Sequence, residues 1–146
     1  MKYNCSIEIN KPLDELSKLW EDENNFKHWQ DGFISIELLE GEKGQKDSKS
    51  KILFLQGKRK MELIETVLLN ELPNHKKALY EHIHMTNTQS SKFESLSDAK
   101  TLYSSEVEYL KFNGFMPKLI AKLLPGLFKK QSEKWMKQFK EFAENN

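Results

Sequence analysis

Two glutamates, Glu65 and Glu81, fall within alternating apolar stretches of the kind that form β-strands with one buried face. Their apolar companions on the assumed inward faces are Met61, Leu63, Val67 and Leu69 for the first and Leu79, Ile83 and Met85 for the second. Carboxylates that face an apolar interior can serve as general acid or base. The alternative for each is a pairing with a lysine or hydroxyl, or a strand-end position in water.

Hydroxyl groups accompany these carboxylates on a later strand. The alternation from Thr101 to Tyr109 places Tyr103, Ser105 and Tyr109 on one predicted inward face together with Val107. Tyr103 and Tyr109 therefore join the two glutamates as candidate catalytic residues.

Histidine and cysteine residues give weaker indications of a chemical site. His82 and His84 are two apart and share a strand face, a spacing that can hold zinc, but no third ligand is near in sequence and their face is the one assigned to solvent. Cys5 alternates with apolar residues of the first strand, where a buried thiol is expected. We predict no metal site and no cofactor, and no glycine-rich nucleotide fingerprint is present.

Seven strands and three helical segments are predicted to position these residues. The first strand, Tyr3 to Ile9, is followed by a helix around Leu16 and Trp20 that begins at Pro12, and by a short helical piece from Asn24 to Trp29. Six strands follow: Phe33–Glu40, Lys51–Gln56, Met61–Leu72, Ala78–Thr86, Thr88–Ser97 and Lys100–Phe112. The intervals are too short for βαβ crossovers, so the sheet should be antiparallel. On the strand that begins at Met61, a rival alternation of Glu62, Ile64, Thr66 and Leu68 leaves the inward face open.

The C-terminal stretch from Phe115 to Ala143 is apolar at first and amphipathic afterwards. Its second half carries one helical stripe made of Phe128, Ser132, Trp135, Phe139 and Phe142. Its first half is apolar around most of the circumference and leaves only Lys118 and Lys122 for water, so it should need apolar neighbours on more than one side. Pro125-Gly126 predicts either a kink or a break.

Composition limits the classes of partner. The 146 residues carry 23 Lys plus Arg against 22 Asp plus Glu, a net charge of +1 that gives no global case for nucleic acid or an anionic membrane. The longest apolar runs fall far short of a membrane span, and the N-terminus lacks a signal-peptide core. A membrane-surface helix rich in lysine is the alternative for the C-terminal stretch, but the strands need that helix as their cover. We expect a cytoplasmic protein without stable membrane insertion.

The order strand, two short helices, six strands and one long helix resembles the helix-grip fold of the START-like (SRPBCC, polyketide cyclase) superfamily. The resemblance covers the whole chain and is carried by Ile7 to Pro12 leading into the helix with Leu16 and Trp20, by Asn25 to Trp29, and by the proline-interrupted C-terminal helix. It implies an α+β fold, a single START-like domain over residues 1–146, in which a curved seven-stranded antiparallel sheet wraps around the C-terminal helix and encloses a cavity.

A cavity of this kind implies binding of a small hydrophobic or amphipathic molecule, such as a lipid, a polyketide-like compound or an aromatic. The predicted ligand-binding residues are Trp29, Met61, Leu63, Glu65, Glu81, Ile83, Phe93, Tyr103, Ser105, Ile120, Leu124 and Phe128. A cyclase, dehydratase or hydrolase that uses the cavity carboxylates and tyrosines is one alternative, and a chaperone-cofactor-like protein-binding module is another. The expected assembly is a monomer or weak homodimer.

Overall fold

A computed structural model describes all 146 residues and contains seven strands and four α-helices. Their bounds are β1 Lys2–Ile9, α1 Leu13–Glu21, α2 Phe26–Trp29, β2 Phe33–Glu40, β3 Lys49–Gln56, β4 Arg59–Glu71, β5 His75–Glu81, β6 Met85–Ser97, β7 Lys100–Phe112, α3 Phe115–Leu123 and α4 Gly126–Glu144. A 3₁₀ turn, Glu23–Asn25, precedes α2. The predicted number and order of strands are confirmed.

The strands form one antiparallel sheet in the order β1-β7-β6-β5-β4-β3-β2. From β2 to β7 each strand pairs with the next along the chain, and β1 closes the row by pairing with β7. The two edge strands, β1 and β2, are therefore joined in sequence by α1 and α2. The concave face of the sheet is covered by α4, which packs against β1, α1 and α2.

The core lies where β1 and β7 meet α4. Alternation in β1 buries Cys5 and Ile9, and the paired alternation in β7 buries Thr101, Tyr103 and Val107. This confirms the predicted inward face of both strands.

The stripe of α4 is centred on Met136, Phe139 and Ala143, which are 5%, 0% and 0% exposed. Phe139 meets Trp29 at 5.1 Å and Tyr103 at 5.8 Å between ring centroids, both edge to face. The predicted members Trp135 and Phe142 lie at the edge of this stripe and are half-buried. One aromatic residue thus joins α2, β7 and α4.

Polar contacts fix the end of α4 against β1. The Lys140 ammonium donates to the Glu8 carbonyl at 2.7 Å, and the Asn10 amide donates to the Glu144 carboxylate at 2.8 Å. The same carboxylate accepts from Lys140, four residues earlier, at 2.8 Å. The hydrogen bond from Lys140 and the Asn10 amide hold the pKa of Glu144 below its ordinary value.

The C-terminal stretch is broken at Pro125 into two helices. A residue that precedes proline is disfavoured in the α region, and Leu124 leaves it with φ −132° and ψ 54°. Pro125 is the N-cap of α4, a place where the amide that proline lacks would have no partner within the helix. Of the two readings of Pro125-Gly126, the structure shows the break.

The prediction that the first half of this stretch is buried on several sides is wrong. α3 contains no buried residue, and Phe115, Met116 and Leu123 are 75%, 58% and 63% exposed. The reason is that α4 alone supplies the cover for β1 and α2, so α3 extends beyond the core. No helix, α3 included, is long and apolar enough to cross a membrane.

The two phenylalanines Phe139 and Phe115 provide a matched test of the difference between the buried face of α4 and the exposed α3. Phe139→Ala should lower the free energy of unfolding by about 3–5 kcal/mol, because it removes a fully buried ring from the core. Phe115→Ala, the same substitution on an exposed side chain, should change it by no more than about 0.5 kcal/mol. Urea unfolding measures both, and a loss of similar size in the two variants would contradict the described core.

Candidate ligand-binding site

A cavity of about 740 Å³ lies between the concave face of the sheet and the helices α3 and α4. Of its 35 lining residues 20 are hydrophobic, so the walls are mainly apolar with a minority of polar groups. β3 to β7 supply one wall, and the opposite wall comes from α2, from α3 and from the first half of α4. Met116, Pro117 and Ile120 of α3 stand at its open end.

Most of the predicted site residues lie on this cavity. The structure brings together Trp29, Met61, Leu63, Glu65, Tyr103, Ser105, Ile120 and Phe128, and also the catalytic candidate Tyr109. The open choice of face on β4 is settled in favour of the alternation that contains Glu65 and the buried Val67.

The predicted face of β5 is wrong. Ala78, which is 3% exposed, and Tyr80 line the cavity, whereas Glu81 is exposed and lies outside it. The cause is a β-bulge in β4 between Val67 and Leu69. An unbroken register continued from Glu71 opposite His75 would place Glu81 opposite Glu65, but the bulge shifts the pairing by one residue and puts Tyr80 there.

Ile83 also lies outside the cavity, because β5 ends at Glu81 and a tight turn follows. His82 and Met85 exchange backbone hydrogen bonds of 2.8 and 3.2 Å, which places Ile83 at the tip with 76% of its surface exposed. The predicted strand from Ala78 to Thr86 therefore ends early. The alternation of the strand does not continue through the turn, so it does not predict the direction of the Ile83 side chain.

Phe93 and Leu124 are the other two predicted ligand contacts that do not line the cavity. Phe93 is only 2% exposed and stacks on Tyr103 at 4.9 Å between ring centroids, so it is a core residue behind the wall. Leu124 lies at the break between α3 and α4 and is 54% exposed.

A carboxylate and a phenol form the polar centre of the β4–β5 wall. The Tyr80 hydroxyl donates to Glu65 Oε2 at 2.7 Å. Burial and then the Glu65 charge raise the pKa of Tyr80 well above its ordinary value, so the phenol stays protonated and keeps donating. Glu65 takes part in none of the ion pairs of the structure. Its remaining acceptor capacity is open to a bound molecule.

Tyr80 is the site residue that sequence reasoning missed. Its hydroxyl and ring lie opposite Glu65 only because of the bulge, so the signal that finds it is the cross-strand register. Lys76, four residues before Tyr80, also lines the cavity, and its ammonium lies 5.8 Å from the Trp20 ring centroid.

His82 and His84 lie at the cavity rim, so their assignment to a solvent face away from the cavity is wrong. The His84 amide donates to His82 Nδ1 at 3.2 Å, which leaves the proton of the neutral ring on Nε2. Burial and the neighbouring His84 lower the pKa of His82, which favours that neutral ring. No group of three His, Cys, Asp or Glu side chains is placed to hold a metal ion.

Aromatic side chains line the open end beside α3. Tyr109 lies between Phe112 and Phe128, at 5.3 and 4.9 Å between ring centroids. Burial raises the pKa of Tyr109 above its ordinary value. Nearby, the Tyr3 hydroxyl donates to the Phe128 carbonyl at 3.1 Å and lies 2.7 Å from Ser132 Oγ, which fixes the first turns of α4 to β1.

At the inner end, Trp20 Nε1 donates to the Tyr103 hydroxyl at 3.2 Å. Burial raises the pKa of Tyr103 to about 12, which the hydrogen bond from Trp20 only partly offsets. An unfolded tyrosine has a pKa of about 10. The unfolded chain therefore releases this proton first as the pH rises, and the contribution of Tyr103 to stability is complete below pH ~10 and is lost towards pH ~12.

We expect Tyr103→Phe to be less stable than the natural chain by about 1 kcal/mol at neutral pH, because the Trp20 donor loses its acceptor. That difference should narrow or reverse above pH ~10, since phenylalanine does not titrate. Urea unfolding of both proteins across this range measures the difference. A gap that stays constant with pH would show that Tyr103 titrates normally in the folded state.

The sequence matches no protein-family model and no curated protein. Solved structures, in contrast, match along nearly the whole chain. The Zhui aromatase/cyclase from Streptomyces sp. R1128 has a TM-score of 0.81 at 10% identity, over 99% of this chain and 93% of that one. A conserved protein from Geobacillus kaustophilus has a TM-score of 0.80 at 21% identity, over 98% and 95%. A START superfamily protein from Mycobacterium smegmatis has a TM-score of 0.73 at 12% identity, over 92% and 93%.

These likenesses confirm the predicted fold. The chain has the helix-grip fold that the START superfamily protein and the aromatase/cyclase share. At identities of 10–21% the likeness concerns the fold alone.

Proposed function

We propose that this protein binds a small hydrophobic or amphipathic molecule, such as a lipid, a polyketide-like compound or an aromatic, in the cavity between the sheet and the helices α3 and α4. The observation that carries the proposal is the cavity itself. Its volume of about 740 Å³ lies within the roughly 300–1,000 Å³ of ligand pockets, and its walls are mainly apolar with a few polar groups. We also propose that residues 1–146 form a single domain, that the protein is cytoplasmic, and that it is a monomer or a weak homodimer.

Glu65 and Tyr80 are proposed to orient the molecule. A carboxylate beside an apolar wall loses part of its hydration, and a donor on the ligand, either a hydroxyl or a protonated amine, would replace it. The Tyr80 hydroxyl already holds one oxygen, which fixes the direction of the free acceptor positions. The proposed ligand is therefore apolar over most of its surface and carries one hydrogen-bond donor.

A cyclase, dehydratase or hydrolase remains the second candidate, and the contact between Tyr80 and Glu65 favours it. Glu65 could act as the base there, while Tyr103 and Tyr109, with raised pKa values, could donate hydrogen bonds but not remove protons. Glu81, which lies outside the cavity, has no part in this candidate. An activity abolished by Glu65→Gln under conditions where binding persists would identify an enzyme.

Filling the cavity should weaken binding. Ala78→Phe adds an aromatic ring to a side chain that lines the cavity. Gln89→Phe adds one at the position of β6 that pairs with Ala78. Both should weaken binding of the fluorescent fatty acid 11-(dansylamino)undecanoic acid by at least about tenfold. Ala99→Phe, in the exposed β6–β7 turn, is the matched control and should bind as the natural chain does.

Thermal melting of each variant separates lost binding from lost folding. Native mass spectrometry of the gently purified natural chain, compared with its denatured mass, tests for a molecule that co-purifies. If both folded cavity variants bound the probe normally, the cavity would not be the binding site.

The charge of Glu65 can be tested with a second matched pair. Glu65→Gln should lower the affinity for dansylcadaverine, a cationic probe, relative to 11-(dansylamino)undecanoic acid by about tenfold, because a hydrogen bond to a charged group is lost. Glu81→Gln, on the neighbouring strand but outside the cavity, should leave the ratio unchanged. Fluorescence titration measures both ratios, and an equal effect of the two substitutions would remove Glu65 from the proposed role.

A further inference from the structure

Large apolar side chains are exposed together on α3 and at its junction with α4. We call them the α3 patch: Phe115 75%, Met116 58%, Ile120 36%, Leu123 63%, Leu124 54% and Leu127 52% exposed. Scattered apolar residues on a surface need no explanation, but a continuous group of this kind marks an interaction site.

The apolar and lysine side chains are distributed around α3 as in a helix that lies at a membrane–water interface. At about 100° per residue, the apolar side chains from Phe115 to Leu124 cover more than half of the circumference. Lys118 and Lys122, four residues apart, occupy the remaining side. A helix with lysines on one face and Phe and Leu side chains on the other is the kind that lies on a bilayer surface.

Charge is segregated around the patch. Residues 111–132 contain five lysines, Lys111, Lys118, Lys122, Lys129 and Lys130, and no Asp or Glu. Because the whole chain has a net charge of only +1, the rest of it is net negative. Within the segment only Lys129 forms an ion pair, a 4.0 Å contact with Glu133. The concentration of positive charge beside apolar side chains complements an anionic lipid surface.

The fold leaves α3 free for this contact. The sheet needs an apolar helix as its cover, and α4 alone meets that need through Met136, Phe139 and Ala143. α3 is set off from both neighbours, at one end by Gly114, whose φ of +91° suits glycine, and at the other by the break before Pro125.

We propose that the α3 patch docks this protein onto the surface of an anionic lipid bilayer. Phe115, Leu123 and Leu124 enter the boundary between headgroups and acyl chains, and Lys118 and Lys122 lie against the acidic headgroups. Met116, Ile120 and Leu127 belong both to the patch and to the cavity lining, so docking brings the cavity mouth to the bilayer. The docking itself does not depend on the proposed ligand binding, because Phe115, Leu123 and Leu124 do not line the cavity.

Flotation with vesicles tests the proposal. The natural chain should float with vesicles of phosphatidylglycerol mixed with phosphatidylcholine, more weakly with phosphatidylcholine alone, and less at high salt. The double variant Phe115→Ser/Leu123→Ser should bind at least about tenfold more weakly, through loss of buried apolar area. Lys118→Glu/Lys122→Glu should lose the preference for the anionic vesicles.

Matched controls lie at the opposite end of the sheet. Leu96→Ser removes an exposed leucine, 44% exposed, from the end of β6, and Lys46→Glu/Lys92→Glu reverses two exposed lysines. These variants should bind vesicles as the natural chain does. Thermal melting should show that all variants fold, since every substituted side chain is exposed.

Three results would overturn the proposal. One is a natural chain that stays unbound to anionic vesicles, and another is α3 variants that bind as well as the controls. The third is a stable dimer that depends on Phe115 and Leu123, seen by light scattering, since a second copy would then cover the patch. The cavity variant Ala78→Phe should still bind vesicles, so a failure of ligand binding and a failure of docking are distinguishable.

Discussion

The contact of Phe139 with Trp29 and Tyr103 holds the two halves of the fold together. Phe139 is fully buried, and its partners come from α2 and from β7, which are distant in sequence. α4 is fixed to the edge strand β1, through Lys140 and Glu144 at its C-terminal end and through Tyr3 at its N-terminal end, and its main contact with the sheet is with that strand. The cavity is the space that this packing along one edge leaves between the helices and the other strands. Its position therefore follows from where the aromatic core stops.

The polar groups of the cavity depend on a local irregularity. Glu65 meets Tyr80 because the β4 bulge shifts the register by one residue, and without it Glu65 would face a second carboxylate, Glu81. Like charges directly opposite on neighbouring strands are unfavourable, and in an apolar wall they would be more so. The bulge thus replaces a repulsive pair by a hydrogen bond. It also fixes the chemistry of the site, because a carboxylate with one neutral donor accepts further donors, whereas a pair of carboxylates shares a proton.

Most of the fold could be predicted from sequence, because period-2 and period-3.6 patterns report burial directly. Tyr103 showed its inward face in this way, whereas a rival alternation left the face of Val67 open, and Pro125 indicated a kink or a break without deciding between them. A β-bulge has no such signature in the sequence. Val67, Leu68 and Leu69 are all residue types typical of a strand, so their pattern does not show that the pairing shifts by one residue there. The turn at Ile83 was hidden for a similar reason, because its apolar side chain continues the strand pattern. Eight of the twelve predicted ligand contacts line the cavity, and two of the four that do not, Glu81 and Ile83, follow from these two features.

The exposure of α3 is the remaining departure from the sequence pattern, and it is linked to the cavity. If Met116 and Ile120 packed against the aromatic cluster of Tyr109 and Phe128, they would be buried, but they would also fill the open end of the cavity. An accessible mouth and a fully covered α3 are therefore incompatible in this fold. Apolar side chains that must stay near an open mouth are costly in water, and an acyl-chain boundary removes that cost without closing the cavity. In the docking that we propose, the lysines beside them act in the same direction, because they favour the surface of an anionic bilayer.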